Sequence, residues 1–129
     1  MKFLLDTHVF LWYLLGDPRL INEARQIIDS KTGLYFSIVS LWEISIKLNV
    51  GKLEINRPVQ ELFQEVVTID AEILPITVED TQTYASLPVI PGHRDPFDRI
   101  LVTQAMNRSL LLLSGDTKFN SYSIQRIWK

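Results

Sequence analysis

This sequence predicts an α/β fold built on a parallel sheet, and three observations carry that expectation. Short apolar runs of strand character alternate with longer segments whose apolar residues recur at helical spacing. Leu110 to Leu113 is apolar at every position, as in a strand covered on both faces. All five glycines fall between or at the ends of the segments rather than inside them. Strands that alternate with helices pair in parallel and carry the helices on both faces of the sheet.

Taken in order, Lys2 to Leu5 reads as a strand ending at Asp6. Val9 to Leu15 reads as a helix closed by Gly16-Asp17-Pro18. Leu20, Ala24, Ile27 and Ile28 place a second helix over Pro18 to Ser30, with Lys31-Thr32-Gly33 as its stop, and Leu34 to Val39 returns to strand. Ser40 is then the expected N-cap of a helix running to Gly51, with Glu43 three residues on completing a capping box. Pro58 suits a first helical turn ahead of Val59, Leu62, Phe63, Val66 and Val67. Glu72 to Ile76 is a short strand, placed at a sheet edge by Pro75. A helix from Thr77 or Glu79 to Ser86 leads into a loop at Pro88, Pro91 and Gly92. Asp95 and Pro96 then form an N-cap and first-turn pair for a helix through Arg108, and Leu110 to Leu113 precedes Ser114-Gly115-Asp116.

Composition bounds the function. The 129 residues suit one domain spanning 1–129, and 47% apolar with 22% charged residues is the balance of an ordinary globular chain. No cysteine is present, which excludes thiolate nucleophiles and cysteine-held zinc or iron–sulfur sites, and fits a cytoplasmic protein. The apolar run Val9 to Leu15 is far short of the roughly 20 residues a membrane helix needs, and no basic stretch or cleavage site frames it, so neither a membrane span nor a targeting segment is expected. A formal charge of −2 argues against a generally basic nucleic-acid surface, so any such activity must be local.

In parallel sheets ligands bind where strand C-termini meet helix N-termini. The element assignments put Asp6, Glu43, Asp98 and Asp116 along that edge. Clustered carboxylates repel and raise one another's pKa unless a cation lies between them, and oxygen ligands without cysteine favour magnesium or manganese. Taken alone, each acid is better explained by local structure: Glu43 as part of a capping box, Asp98 in a first helical turn, Asp95 as an N-cap, Asp6 and Asp116 as turn residues. Only their convergence selects the metal.

Together, Leu4-Leu5-Asp6-Thr7-His8, Leu41-Trp42-Glu43-Ile44, Asp95-Pro96-Phe97-Asp98-Arg99 and Leu113-Ser114-Gly115-Asp116 resemble the signature of PIN domains, and most of all the single-domain VapC-type toxins. The resemblance implies a three-layer fold with a central parallel sheet of four to five strands flanked by helices. It implies a magnesium- or manganese-dependent endoribonuclease that hydrolyses RNA to leave a 5′-phosphate and acts as the toxin of a toxin–antitoxin pair. It assigns Asp6, Glu43, Asp98 and Asp116 to the metal-binding, catalytic acids, with Asp95 a weaker candidate and Ser114 a supporting polar residue. A cognate antitoxin and a homodimer are its implied partners. His8 departs from the Asn or Ser usual at that position.

Lys47 and Arg99 are candidate phosphate contacts, as are Arg94 and Lys118 beside the other acids. Arg99 follows Asp98 inside the matched segment, whereas Lys47 is equally placed for an i,i+4 pair with Glu43. His8 and His93, far apart in sequence, read as incidental, and Trp12, Trp42 and the other aromatics as core or interface packing. An aspartyl phosphotransferase would place a second Asp where His8 stands, and a dinucleotide-binding domain would need a Gly-x-Gly-x-x-Gly turn that is absent. The remaining alternative is a non-catalytic PIN-like module that binds RNA or protein, against which the intact acids argue.

Overall fold

The computed structural model describes residues 1–129. Its strands are β1 (Phe3–Leu5), β2 (Leu34–Ser37), β3 (Glu72–Leu74), β4 (Leu111–Leu113) and β5 (Arg126–Ile127). They form one sheet in the order β3-β2-β1-β4-β5, with every neighbouring pair parallel. The helices are α1 (Thr7–Leu15), α2 (Asn22–Asp29), α3 (Ile38–Asn49), α4 (Val59–Thr68), α5 (Val78–Ala85) and α6 (Pro96–Arg108). The expected α/β class is therefore what the chain adopts, and β3 lies at the edge as Pro75 implied.

Three layers follow from the pleat. In β1, Phe3 and Leu5 enter one apolar cluster while Leu4 enters another on the opposite face. β2 and β4 divide the same way, Leu34, Phe36 and Leu113 on the first side, Tyr35 and Leu112 on the second. The first cluster takes Phe10 and Leu14 of α1, Ala24 and Ile28 of α2, Ile44 of α3 and Leu62 and Val66 of α4. The second takes Leu101, Val102 and Ala105 of α6. Phe10 and Phe36, both fully buried, pack at 4.5 Å between ring centroids, and each such side chain contributes about 1.5–3 kcal/mol by burial.

The strand order turns back between β1 and β4. The chain winds from β1 through β2 to β3 on one side, then returns to lay β4 and β5 on the other. That switch point opens a crevice at the carboxyl ends of β1 and β4, where Leu5 pairs with Leu113 and the next residues are Asp6 and Ser114.

Among the boundaries that differ from expectation, two do so for evident physical reasons. α2 begins at Asn22, because Asp17 and Arg19 close a local turn in which the carboxylate accepts from the Arg19 backbone and guanidinium. α3 begins at Ile38 and is capped by Ser37, whose hydroxyl accepts from the Val39 amide at 3.1 Å. Ser40 is not the cap: it lies inside the helix, and its hydroxyl accepts from Thr7 Oγ1 at 2.8 Å. The capping box proposed for Glu43 thus does not form. β5 and the short 3₁₀ turn Thr117–Ser121 before it were not anticipated.

One buried acid serves the fold alone. Asp80, fully buried on α5, accepts from Arg108, Asn107, Gln104 and the Thr77 amide, and Thr77 caps the helix in return. Burial pushes its carboxyl up, but these donors outweigh it and hold Asp80 well below the usual carboxylate range.

Candidate active site

At the switch point Asp6 is the hub. It occupies the N-cap position of α1 with extended backbone, yet its side chain makes no capping hydrogen bond. Capping would stabilise the helix by about 1 kcal/mol. Instead the carboxylate turns across to β4, where Ser114 Oγ donates to Oδ2 at 2.8 Å. The other oxygen, Oδ1, is buried and meets no donor. A buried carboxylate oxygen left unpaired costs free energy in proportion to its charge, so its surroundings are suited to a positive partner.

The other acids surround this hub. Burial pushes the Asp6 carboxyl up, the Ser114 hydroxyl and Thr7 amide pull it down, and the charges of Glu43 and Asp116 push it up again, leaving it at about 6. Asp98 also stands at about 6, raised by burial and by the charges of Asp6 and Asp95, with His93 pulling the other way. Each of these acids is delivered by a local feature. Thr7 Oγ1 donates to Ser40 and fixes the face of α3 on which Glu43, one turn later, also lies; Glu43 is only 6% exposed. Asp98 sits in the first turn of α6, and Asp116 follows β4.

Asp116 is partly engaged: its amide donates to Ser114 Oγ at 3.0 Å, and its Oδ1 accepts from the Lys118 amide at 2.9 Å. Ser114 therefore ties Asp6 to Asp116 through one hydroxyl. Gly115 between them lies against Trp128, whose ring a Cβ there would approach to 3.0 Å. Asp95 is exposed and caps α6, its Oδ1 accepting from the Phe97 amide at 2.8 Å.

No three Asp, Glu or His side chains are arranged so as to grip a metal ion directly. The donor set nevertheless fits a hard cation, because magnesium keeps most of its waters and is held by one or two carboxylates. The orphaned Asp6 Oδ1 is the atom such a cation would meet, with the charges of Glu43 and Asp116 acting on the same carboxylate and Asp98 close enough to share its field.

The cationic candidates divide. Lys47 Nζ lies 3.2 Å from Glu43 Oε2, so the i,i+4 pairing is realised, at the rim of the acids. Arg99 is a correction. It was expected to reach substrate, but only 8% of it is exposed, and its guanidinium donates to Pro88 O, Leu87 O and the Tyr122 hydroxyl while lying over the Tyr84 ring. Those contacts pin the loop before α6. Arg94 and Lys118 are exposed, as is His8, which packs 6.2 Å from Trp12.

His93, which the sequence marks as incidental, is instead part of the site, and no sequence signal of its own points to it. Its ring is buried, with Nδ1 2.7 Å from Tyr122 Oη and Nε2 3.2 Å from Asp98 Oδ2. Beside the site, Val39, Trp42, Ile76, Tyr84, Pro96, Phe97 and Ile100 line an apolar groove of about 280 Å³. Trp42 is 60% exposed at its edge and packs against Phe97, whereas Trp12 lies elsewhere, against Trp128.

Known proteins resemble this chain along its length. Ribonuclease VapC22 of Mycobacterium tuberculosis is 28% identical over 124 residues, spanning 92% of this chain and 90% of that protein. VapBC2 from Rickettsia felis, solved bound to a DNA fragment from its promoter, matches 100% of both chains with a TM-score of 0.70 at 18% identity. FitAB bound to an IR36 DNA fragment matches 98% of this chain and 94% of its own, with a TM-score of 0.72 at 21% identity. At those identities the two structures establish a shared fold. The PIN domain pattern itself matches residues 3–124, which include every acid of the crevice, and the chain belongs to the PIN-domain family.

Proposed function

We propose that residues 1–129 form a single ribonuclease domain that hydrolyses RNA phosphodiester bonds with magnesium or manganese, and that it acts in the cytoplasm as the toxin of a toxin–antitoxin pair. The observation that carries the reading is Asp6: a buried carboxylate, raised to about 6, with one oxygen unpaired at the sheet's switch point and three further acids around it. A structural acid such as Asp80 looks different, being ringed with donors. The 28% identical relative is a ribonuclease, in keeping with this chemistry.

Asp6 and Asp98 would hold the cation, with Glu43 and Asp116 taking part through its waters, and Asp95 standing further out. When bound, the cation polarises a substrate phosphate oxygen and acidifies a water. The chain supplies the rest. Ser114 orients Asp6 by donating to Oδ2, which leaves Oδ1 unpaired and available to a cation. One of the four acids that does not itself bind the cation is placed to accept a proton from the attacking water. Lys47, at the rim, is placed to meet a backbone phosphate once Glu43 turns to the cation.

Incubation of the purified chain with total cellular RNA tests the activity. Cleavage is expected with magnesium or manganese and is expected to vanish in excess chelator; undiminished cleavage in chelator would contradict the metal reading. A folded chain that binds no divalent ion and cuts no RNA would favour the alternative, a non-catalytic RNA- or protein-binding module.

A free ribonuclease endangers its own cell, so a protein inhibitor is part of the reading. The relatives solved as VapBC2 and FitAB assemblies are in keeping with that. The apolar groove at Trp42 and Phe97 suits a helix or extended tail of the antitoxin, with a basic side chain reaching the neighbouring acids, and the assembly is proposed to be a homodimer of such pairs. Expression of the chain alone should arrest growth, and coexpression with the antitoxin should restore it. Unaffected growth with soluble, folded protein present would remove the toxin assignment.

A further inference from the structure

Arg99, Tyr122, His93 and Asp98 form a chain of hydrogen bonds whose directions are fixed from one end. A guanidinium only donates, so Arg99 gives a proton to Tyr122 Oη at 3.1 Å. The tyrosine hydroxyl accepts there and meets no acceptor other than His93 Nδ1, at 2.7 Å, so its single proton goes to that nitrogen. In the neutral ring the imidazole proton is thereby left on Nε2, which faces Asp98 Oδ2 at 3.2 Å. We infer that His93 is a positioning residue: locked as its Nε2–H tautomer by the Arg99–Tyr122 relay, it holds one oxygen of Asp98 and leaves the other turned to the cation. This rests on the divalent-cation reading above.

The local sequence builds the arrangement. Ile90-Pro91-Gly92-His93 is a type II turn, with Gly92 at φ +80 and the His93 amide donating to Ile90 O at 3.1 Å. The turn buries the ring against Phe119 and Tyr122, edge-on at 5.5 and 5.4 Å between centroids. Arg99 in turn pins the same loop through Pro88 O and Leu87 O. Partners of this kind, one step removed from a metal, fix the orientation of its ligands and typically change affinity by about 10–100-fold when removed.

Nitrogen-15 spectra of histidine-labelled protein, without metal and at about pH 8, where an ordinary imidazole is neutral, report which ring nitrogen carries the proton. The His8→Asn variant removes the other imidazole and assigns the signals. The unmodified chain should show His93 protonated on Nε2, and Tyr122→Phe should raise the share of the Nδ1–H tautomer. Calorimetric titration with Mn²⁺ gives the second readout: His93→Ala should bind about 10–100-fold more weakly, while His93→Gln, whose amide reaches Asp98 from the Nε2 position, should stay within about threefold of the unmodified chain. An Nδ1–H signature overturns the inference. So does a folded His93→Ala that binds Mn²⁺ as the unmodified chain does, or a folded His93→Gln that loses as much affinity as His93→Ala. An unmodified chain that binds no Mn²⁺ overturns the parent reading instead, and the positioning role with it, even where the tautomer is as assigned.

Discussion

Asp6→Asn is expected to lose RNA cleavage by on the order of 10³-fold, about 4 kcal/mol of barrier, while making the metal-free protein more stable. The two effects have one cause. In the folded chain the Asp6 carboxyl stands at about 6, above the 3.8 of an unburied aspartate. Above pH 6 both folded and unfolded chains carry the charge and the folded one bears its cost. Below about pH 4 both are protonated and the cost is gone. Stability therefore falls as pH rises through that interval, by on the order of 2–3 kcal/mol from this group. Asparagine keeps an acceptor for Ser114 and turns its amide N–H toward the surrounding acids, so it removes the cost without leaving a cavity.

Thermal midpoints measured from pH 4.5 to 7.5 check this. The unmodified chain should melt lower as pH rises, and magnesium should recover much of the loss at pH 7.5 by binding the folded state. Asp6→Asn should show a flatter profile, a higher midpoint at pH 7.5 and little response to magnesium. Asp98, also raised to about 6, contributes in the same direction and leaves some slope in the variant. Asp80 works in the opposite sense, but its stabilisation is lost only below the ordinary carboxylate range, outside this interval. An Asp6→Asn protein that cuts RNA normally, or that is less stable than its parent at pH 7.5, would contradict this account of the crevice.

Much of this was legible in the sequence because local chemistry and global fold agree at those points. Leu110 to Leu113 has no polar position, so it had to be a strand covered on both faces, and its neighbour Ser114 falls opposite Asp6 by register alone. Asp95-Pro96 both caps and opens α6, as their side-chain chemistry dictates. Where local signals were degenerate, tertiary contacts decided. Ser37 and Ser40 offer equal hydroxyls three residues apart, and only the bond from Thr7, distant in sequence, draws Ser40 into the helix and frees Glu43 from a capping role.

The residues around Asp98 were hidden for a related reason. His93 lies in a turn that the Pro91-Gly92 pair marks plainly, but its partner Tyr122 comes from the irregular segment before β5, where no periodicity guides a reading. Arg99 looked like a phosphate ligand because it follows an acid of the site; successive helical residues point about 100° apart, which sends Arg99 inward as Asp98 faces the crevice. β5 is two residues long and carries no pattern of its own.

Asp98 and Asp95, three residues apart on α6, should respond oppositely to the same substitution. Asp95 is exposed, and its Oδ1 accepts from the Phe97 amide. Asparagine caps a helix about as well as aspartate, so Asp95→Asn should leave the thermal midpoint within a few degrees of the unmodified chain and cleavage within about threefold. Its lost charge also relieves Asp98, whose carboxyl Asp95 helps to push up. Asp98 has no capping duty. Its Oδ2 is engaged by His93, and its carboxylate lies next to Asp6 across the crevice. Asp98→Asn should keep the fold, since removing a half-buried charge raised to about 6 does not cost stability at neutral pH. It should lose cleavage by on the order of 10²–10³-fold, about 3–4 kcal/mol of barrier, and weaken Mn²⁺ binding. Cleavage, thermal midpoint and Mn²⁺ affinity measured together on the two variants separate the roles. An inactive Asp95→Asn beside an active Asp98→Asn, both folded, would exchange them and move the cation toward the exposed end of α6.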